Sequence, residues 1–174
     1  MKRIPDPLTY NEVFYRIMQA YTTQTYGTKN IEECPLEDLL KYDYNISNMK
    51  IEGKLRHYAE NMTHKNLYKA KDILVEKQQH DGRDDGWFFE CEADRIFYIK
   101  FLYHSTCPTH GRTILTRASD IKEFTFIDIN WPELKKLIQD NKYELVYSGK
   151  TTGSWNWIVP LDDIKDKHIW RHTL

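Results

Sequence analysis

Ser47-Asn-Met-Lys-Ile-Glu-Gly-Lys-Leu-Arg-His-Tyr-Ala-Glu-Asn-Met62 is the stretch on which the fold class turns. Ile51, Leu55, Tyr58 and Met62 recur at helical spacing, which predicts a helix with one apolar face. Thr63 is placed to cap a further helix with Leu67, Ala70, Ile73 and Leu74 inward. The spacing fits one bent helix or two separate ones over residues 48–79.

Working outward, Thr9-Tyr-Asn-Glu12 reads as a capping box. Val13, Phe14, Ile17, Met18 and Tyr21 then form a helical stripe that ends near Gly27. Pro35 starts a short helix through Leu36, Leu39 and Leu40. His80 to Gly86 is a turn, since its aspartates and glycines do not continue a helix cheaply. Beyond it, Trp87–Ala93 and Arg95–His104 read as a hairpin around Asp94. Arg112–Ala118 and Glu123–Ile129 read as strands, and Asn130-Trp-Pro-Glu133 opens a helix with core residues Leu134, Leu137 and Ile138. Tyr143–Ser148 and Trp155–Val159 form a closing pair of strands, and Leu161–Leu174 a short helix with a tail. The expected fold is α+β: N-terminal helices on a mostly antiparallel sheet in the order ααα(α)ββββαββ. Residues 1–174 are read as one domain, helical over 1–80 and strand-rich over 86–160 with one inserted helix.

The 174 residues are 40% hydrophobic and 29% charged, a globular composition. A net charge of −1 gives no global field toward nucleic acid or anionic lipid, so a nucleic-acid surface must be a local patch. No apolar run approaches the roughly 18 to 20 residues of a membrane span. The charged, proline-broken N-terminus does not read as a secretory signal. Three cysteines without paired spacing read as reduced thiols. The expectation is a soluble, cytoplasmic protein that does not engage membranes.

Three constellations carry chemistry. Asp81, Asp84, Asp85, Glu90, Glu92 and Asp94 put six carboxylates into fourteen residues. Glu90 and Glu92 share one face of the expected strand, with Lys100 on its neighbour, a candidate catalytic set around Mg²⁺ or Mn²⁺. The order of elements after residue 63 shares parts with the αβββαβ nuclease core and the αβββα double-stranded-RNA-binding domain, an analogy of topology alone. That nuclease core normally carries an acid, one spacer and a lysine on the strand after its first aspartate. The expected third strand, Thr113-Ile-Leu-Thr-Arg117, has no carboxylate. The competing reading is a solvated strand face with Trp87, Phe89 and Cys91 inward.

His104, Cys107 and His110 are candidate zinc ligands in one loop, with Cys91, His168 or His172 as a fourth. An incidental cysteine in a polar loop explains the same residues. Lys50, Lys54, Arg56, His57, Lys65, Tyr68 and Lys69 form a basic, tyrosine-containing stretch on the expected central helices. Such a stripe tracks phosphates and stacks bases, although solvated helix faces are also lysine-rich. Ser148-Gly-Lys-Thr-Thr152 is no phosphate loop, because Glu144 stands where its first glycine is needed and a strand follows.

The leading expectation is a nucleic-acid-associated accessory protein that binds phosphates through basic helices, with or without metal-dependent hydrolysis. Its partner is nucleic acid or a nucleic-acid-handling protein. The alternatives are a non-catalytic protein-binding module, such as a small phage-type inhibitor of a host nucleic-acid-handling or defence enzyme, and a nucleotide or small-molecule pocket lined by Trp87, Trp155 and Trp157.

Overall fold

The structure is a computed structural model that describes residues 8–38, 41–59, 71–79, 84–103, 115–116, 121–148 and 153–173. Helix α1, Tyr10–Tyr26, forms where the apolar stripe requires it and ends at Gly27, whose φ of 67° suits glycine. Strands β1 (Leu8–Thr9), β2 (Glu32–Glu33) and β3 (Tyr44–Ile46) flank it, with a 3₁₀ turn at Leu36–Asp38.

The decisive stretch is not helical. Met49–Ala59 is strand β4 and Asp72–Gln79 is strand β5. This overturns the expected ααα(α) opening and the helical 1–80 half. Met49, Ile51, Gly53 and Leu55 alternate with Lys50, Glu52, Lys54 and Arg56, so a period of two was present beside the helical one. Gly53 also weakens a helix by about 1 kcal/mol relative to alanine. Pairing with neighbours on both sides then decides for the strand.

After β6 (Asp84–Asp85), Trp87–Glu90 is a short helix, α2, in place of the first arm of the expected hairpin. Strand β7 (Arg95–Tyr103), β8 (Leu115–Thr116), β9 (Ile121–Asn130), α3 (Trp131–Asp140), β10 (Leu145–Ser148) and β11 (Ser154–Pro160) follow. The Asn130 side chain accepts from the Glu133 amide at 3.0 Å and so caps α3. The expected C-terminal helix is a 3₁₀ turn, Leu161–Asp163, followed by strand β12, Lys167–Thr173.

A six-stranded sheet runs β12-β9-β7-β4-β3-β2, antiparallel except for the parallel β4–β7 pair. A four-stranded sheet runs β10-β11-β5-β6. On one face of the large sheet, Phe97, Ile99, Phe101, Phe124 and Phe126 pack against Val13, Phe14, Met18 and Tyr21 of α1. On the other, Ile96, Tyr98, Ile127 and Ile129 meet Ile73, Val75 and Val159 of the small sheet together with Phe88 and Trp131. Full burial of each such side chain contributes about 1.5–3 kcal/mol. Among the described residues, no helix is long and apolar enough to cross a membrane.

Gly86 seats α2 on β5. Its amide donates to the Lys77 carbonyl at 2.7 Å. A Cβ there would stand 2.5 Å from the Glu76 carbonyl oxygen and 2.7 Å from the Lys77 carbonyl carbon. These are backbone atoms, so they do not step aside as a side chain does. Gly86→Ala is expected to lower stability by about 1–3 kcal/mol, read as a lower urea midpoint at unchanged slope. An unchanged midpoint would contradict this seating of α2.

Candidate active site

Strand β4 enters the sheet beside β3, with Tyr44 opposite Ile51. One step beyond that pair, Asp43 lies beside Glu52. The Asp43 amide donates to the Ile51 carbonyl at 2.8 Å, and its Oδ2 accepts from the Gly53 amide at 2.7 Å. Phe14 of α1 fills the space beneath Gly53, where an added Cβ would meet its ring at 2.8 Å. Glu52 and Lys54, two residues apart, therefore share the opposite face of the strand.

Glu52 is only 6% exposed and forms an ion pair with Lys54. Lys54 Nζ also stands 4.8 Å from the ring centre of Trp87, which α2 carries over the site. Burial raises the Glu52 carboxyl above the ordinary range. Lys54 opposes that shift, and the neighbouring Asp43 adds to it. The set is a buried carboxylate paired with a lysine on one strand face, with Asp43, held at the Gly53 amide, close enough to raise it further.

An acid, one spacer and a lysine, absent from residues 113–117, stand at Glu52-Gly53-Lys54 on β4. The alternation about Gly53 was the signal that could have found them. Among the described residues, no three His, Cys, Asp or Glu side chains gather as a metal cage. A buried carboxylate with a second one near it still suits Mg²⁺ or Mn²⁺, which commonly take one or two carboxylates and complete their shell with water and substrate phosphate.

The structure does not bring Glu90, Glu92 and Lys100 together. Glu90 ends α2 and is exposed. Exposed Glu92 lies 3.8 Å from Lys41. Lys100 is 2% exposed, between the sheets, and its Nζ donates to the Asp72 carbonyl at 2.6 Å. Lys50, Lys54, Arg56 and His57 belong to β4 instead of a helix, and Lys50 Nζ lies 5.1 Å over the Tyr42 ring. Arg56 Nε donates to Tyr98 Oη at 3.3 Å. Lys65, Tyr68 and Lys69 lie outside the described residues, as do His104, Cys107 and His110. Cys91, offered as a fourth zinc ligand, is buried in the core, and burial pushes its thiol up to about 12. Trp87 and Trp157 both pack on the core that holds Trp131 and Phe88, at 5.1 Å and 4.8 Å from those rings, while Trp155 meets Tyr147 at 5.3 Å.

A second polar group, on the α1 side of the large sheet, is of another kind. Asp128, 1% exposed, accepts from Tyr21 Oη at 2.9 Å, from Tyr26 Oη and from Arg95 Nε. His168 Nδ1 lies 2.9 Å from Tyr21 Oη. Burial and then the Asp128 charge raise the Tyr21 hydroxyl, and burial and its bond to Asp128 raise that of Tyr26. These tyrosines are held as donors, and the network ties α1 to β7, β9 and β12.

No protein-family model, curated protein or solved structure matches this chain.

The two carboxylates are expected to differ in their effect on stability. Asp128→Ala removes the acceptor shared by Tyr21, Tyr26 and Arg95, of which Arg95 keeps Asp166 at 3.3 Å and Tyr21 keeps His168, and should lower stability by about 1–3 kcal/mol. Glu52 has its folded-state proton affinity raised, so its ionisation opposes folding above the unfolded-state carboxyl range. The penalty grows as pH rises through the raised value and disappears well below the unfolded one. Glu52→Gln should therefore raise the urea midpoint at pH 7, with the gain shrinking as pH falls toward 4. A lower midpoint for Glu52→Gln at pH 7 would mark Glu52 as a structural anchor.

Proposed function

We propose that this chain is a metal-dependent phosphodiesterase acting on nucleic acid, with Asp43, Glu52 and Lys54 as its catalytic group. One observation carries the reading: Glu52-Gly53-Lys54 lies on a central strand, its carboxylate buried against Lys54 and near Asp43. An ionised carboxylate in such a place weakens the fold, and groups kept at a cost to stability mark functional sites.

Asp43 and Glu52 are the residues that would hold Mg²⁺ or Mn²⁺, which when bound supplies Lewis-acid stabilisation of a phosphoryl oxygen and a more acidic water. Lys54 places an ammonium on the same face, where it orients the attacking water and offsets negative charge on the phosphoryl oxygens. Hydrolysis adds the water oxygen to phosphorus and breaks the bond to the leaving sugar oxygen. That oxygen takes up a proton as the water loses one. Trp87 packs over Lys54, 4.8 Å from its ammonium.

The test incubates labelled single- and double-stranded DNA and RNA with the full chain in Mg²⁺, Mn²⁺ or chelator. Metal-dependent cleavage is expected, reduced about 100-fold or more in Asp43→Asn, Glu52→Gln and Lys54→Ala. Wild-type chain that cleaves none of the four substrates with either metal would end the proposal. A second reading, a non-catalytic protein-binding module, draws on edge strand β10 with its exposed Leu145 and Tyr147. It requires those four substrates to stay intact.

A further inference from the structure

Beyond Lys54 on the same face of β4 comes Arg56, and from it a single row crosses the large sheet. Arg56 pairs with Lys100, Lys100 with Thr125, and Thr125 with Arg171 of β12. Directly paired residues share a sheet face, so the three cations point to the side where the small sheet packs. Neighbouring strands are about 4.8 Å apart, which spreads the row over about 14 Å. At roughly 3.3 Å per residue, Arg56 begins the row about 6.6 Å from Lys54 along β4.

The row is graded in exposure. Lys100 is 2% exposed, Arg56 is half-buried, and Arg171 at the sheet edge is exposed. Asp72 of β5 meets Lys100 through its carbonyl. Burial pulls the proton affinity of Lys100 down and the nearby Arg171 pulls it further, against the attraction of Asp72. Arg171 near the buried Lys100 ammonium works against folding, and an anion seated there offsets that repulsion, while Glu76 and the Tyr98 hydroxyl already attend Arg56.

We infer that the row Arg56–Lys100–Arg171 is a binding subsite for the backbone phosphates that flank the scissile one on the bound strand. This rests on the phosphodiesterase reading for the identity of the strand, while the row itself is an anion site independent of hydrolysis. Arg56 and Arg171 contact phosphate oxygens, and Lys100 adds charge from behind them. Its role is positioning, separate from the catalytic group at Asp43, Glu52 and Lys54.

The test measures anisotropy of a fluorescein-labelled single-stranded DNA against the full chain in chelator, at salt between about 50 and 200 mM. Arg171→Gln should weaken binding about tenfold. It should also flatten the dependence of log affinity on log salt by about 0.7, one phosphate contact on a single strand. Its unfolding midpoint should stay level or rise, and in Mn²⁺ the variant should show a raised KM at unchanged kcat. Arg56→Gln, in the half-buried part of the row, should weaken binding in the same way. Glu52→Gln should bind as wild type does and lose cleavage. Unchanged affinity and salt slope in both arginine variants would overturn the subsite even if wild type cleaves. Salt-dependent binding lost with the arginines, in a chain that never cleaves, would uphold the subsite and retire the hydrolytic reading. A wild type that does not bind at any salt would overturn the subsite.

Discussion

The parallel pairing of β4 with β7, from Ile51 beside Arg95 to Ala59 beside Tyr103, is the constraint on which the rest of the structure depends. Parallel neighbours require a long crossover. Here the chain between them supplies β5, β6 and α2, so the segment that closes the pair also delivers half of the second sheet and the Trp87 ring over Lys54. With β7 on one side and β3 on the other, β4 is central. Its alternate residues are driven to opposite faces, Ile51 toward α1 and Glu52 and Lys54 toward the small sheet. A strand buried on both faces that carries charge on one of them is an expensive arrangement, and the candidate active site lies on that face.

Much of the fold was legible where one periodicity stood alone. Helix α1 follows from the stripe Val13, Phe14, Met18 and Tyr21, and α3 from Asn130, its proline and Leu134. The opening of the sheet was not legible, because Ile51, Leu55 and Tyr58 satisfy a helical period while Met49, Ile51 and Leu55 satisfy that of a strand. Pairing with β3 on one side and with Arg95 to Tyr103, distant in sequence, on the other separates the two. Leu161–Leu174 misled for a similar reason: its charges suit a surface helix, but pairing along β9 holds Lys167–Thr173 extended. The short helix at Trp87–Glu90 leads to Phe88 and Cys91 buried three residues apart, with Phe89 and Glu90 exposed between them, a spacing that strand alternation does not produce.

The candidate site was hidden by the same ambiguity. Read as a helix, Lys50, Lys54 and Arg56 are part of a solvated basic stripe, and Glu52 is its stray counter-charge. Read as a strand, Glu52 and Lys54 become a buried pair beside Asp43, and Arg56 starts a row that ends at Arg171. The contrast with Asp128 is instructive. That carboxylate is as deeply buried, yet two tyrosines and an arginine donate to it and it holds elements together. At Glu52, burial and Asp43 outweigh what Lys54 returns. A cation accepted by both carboxylates would remove that imbalance.

Titration of the metal-free chain with Mn²⁺ by calorimetry tests this account most directly, because it asks whether Asp43 and Glu52 hold a divalent ion before any substrate is present. A saturable heat that disappears in Asp43→Asn and in Glu52→Gln, and persists in Asp128→Asn, is the predicted result. A wild-type chain silent toward Mn²⁺, or a heat that survives loss of both Asp43 and Glu52, would contradict it.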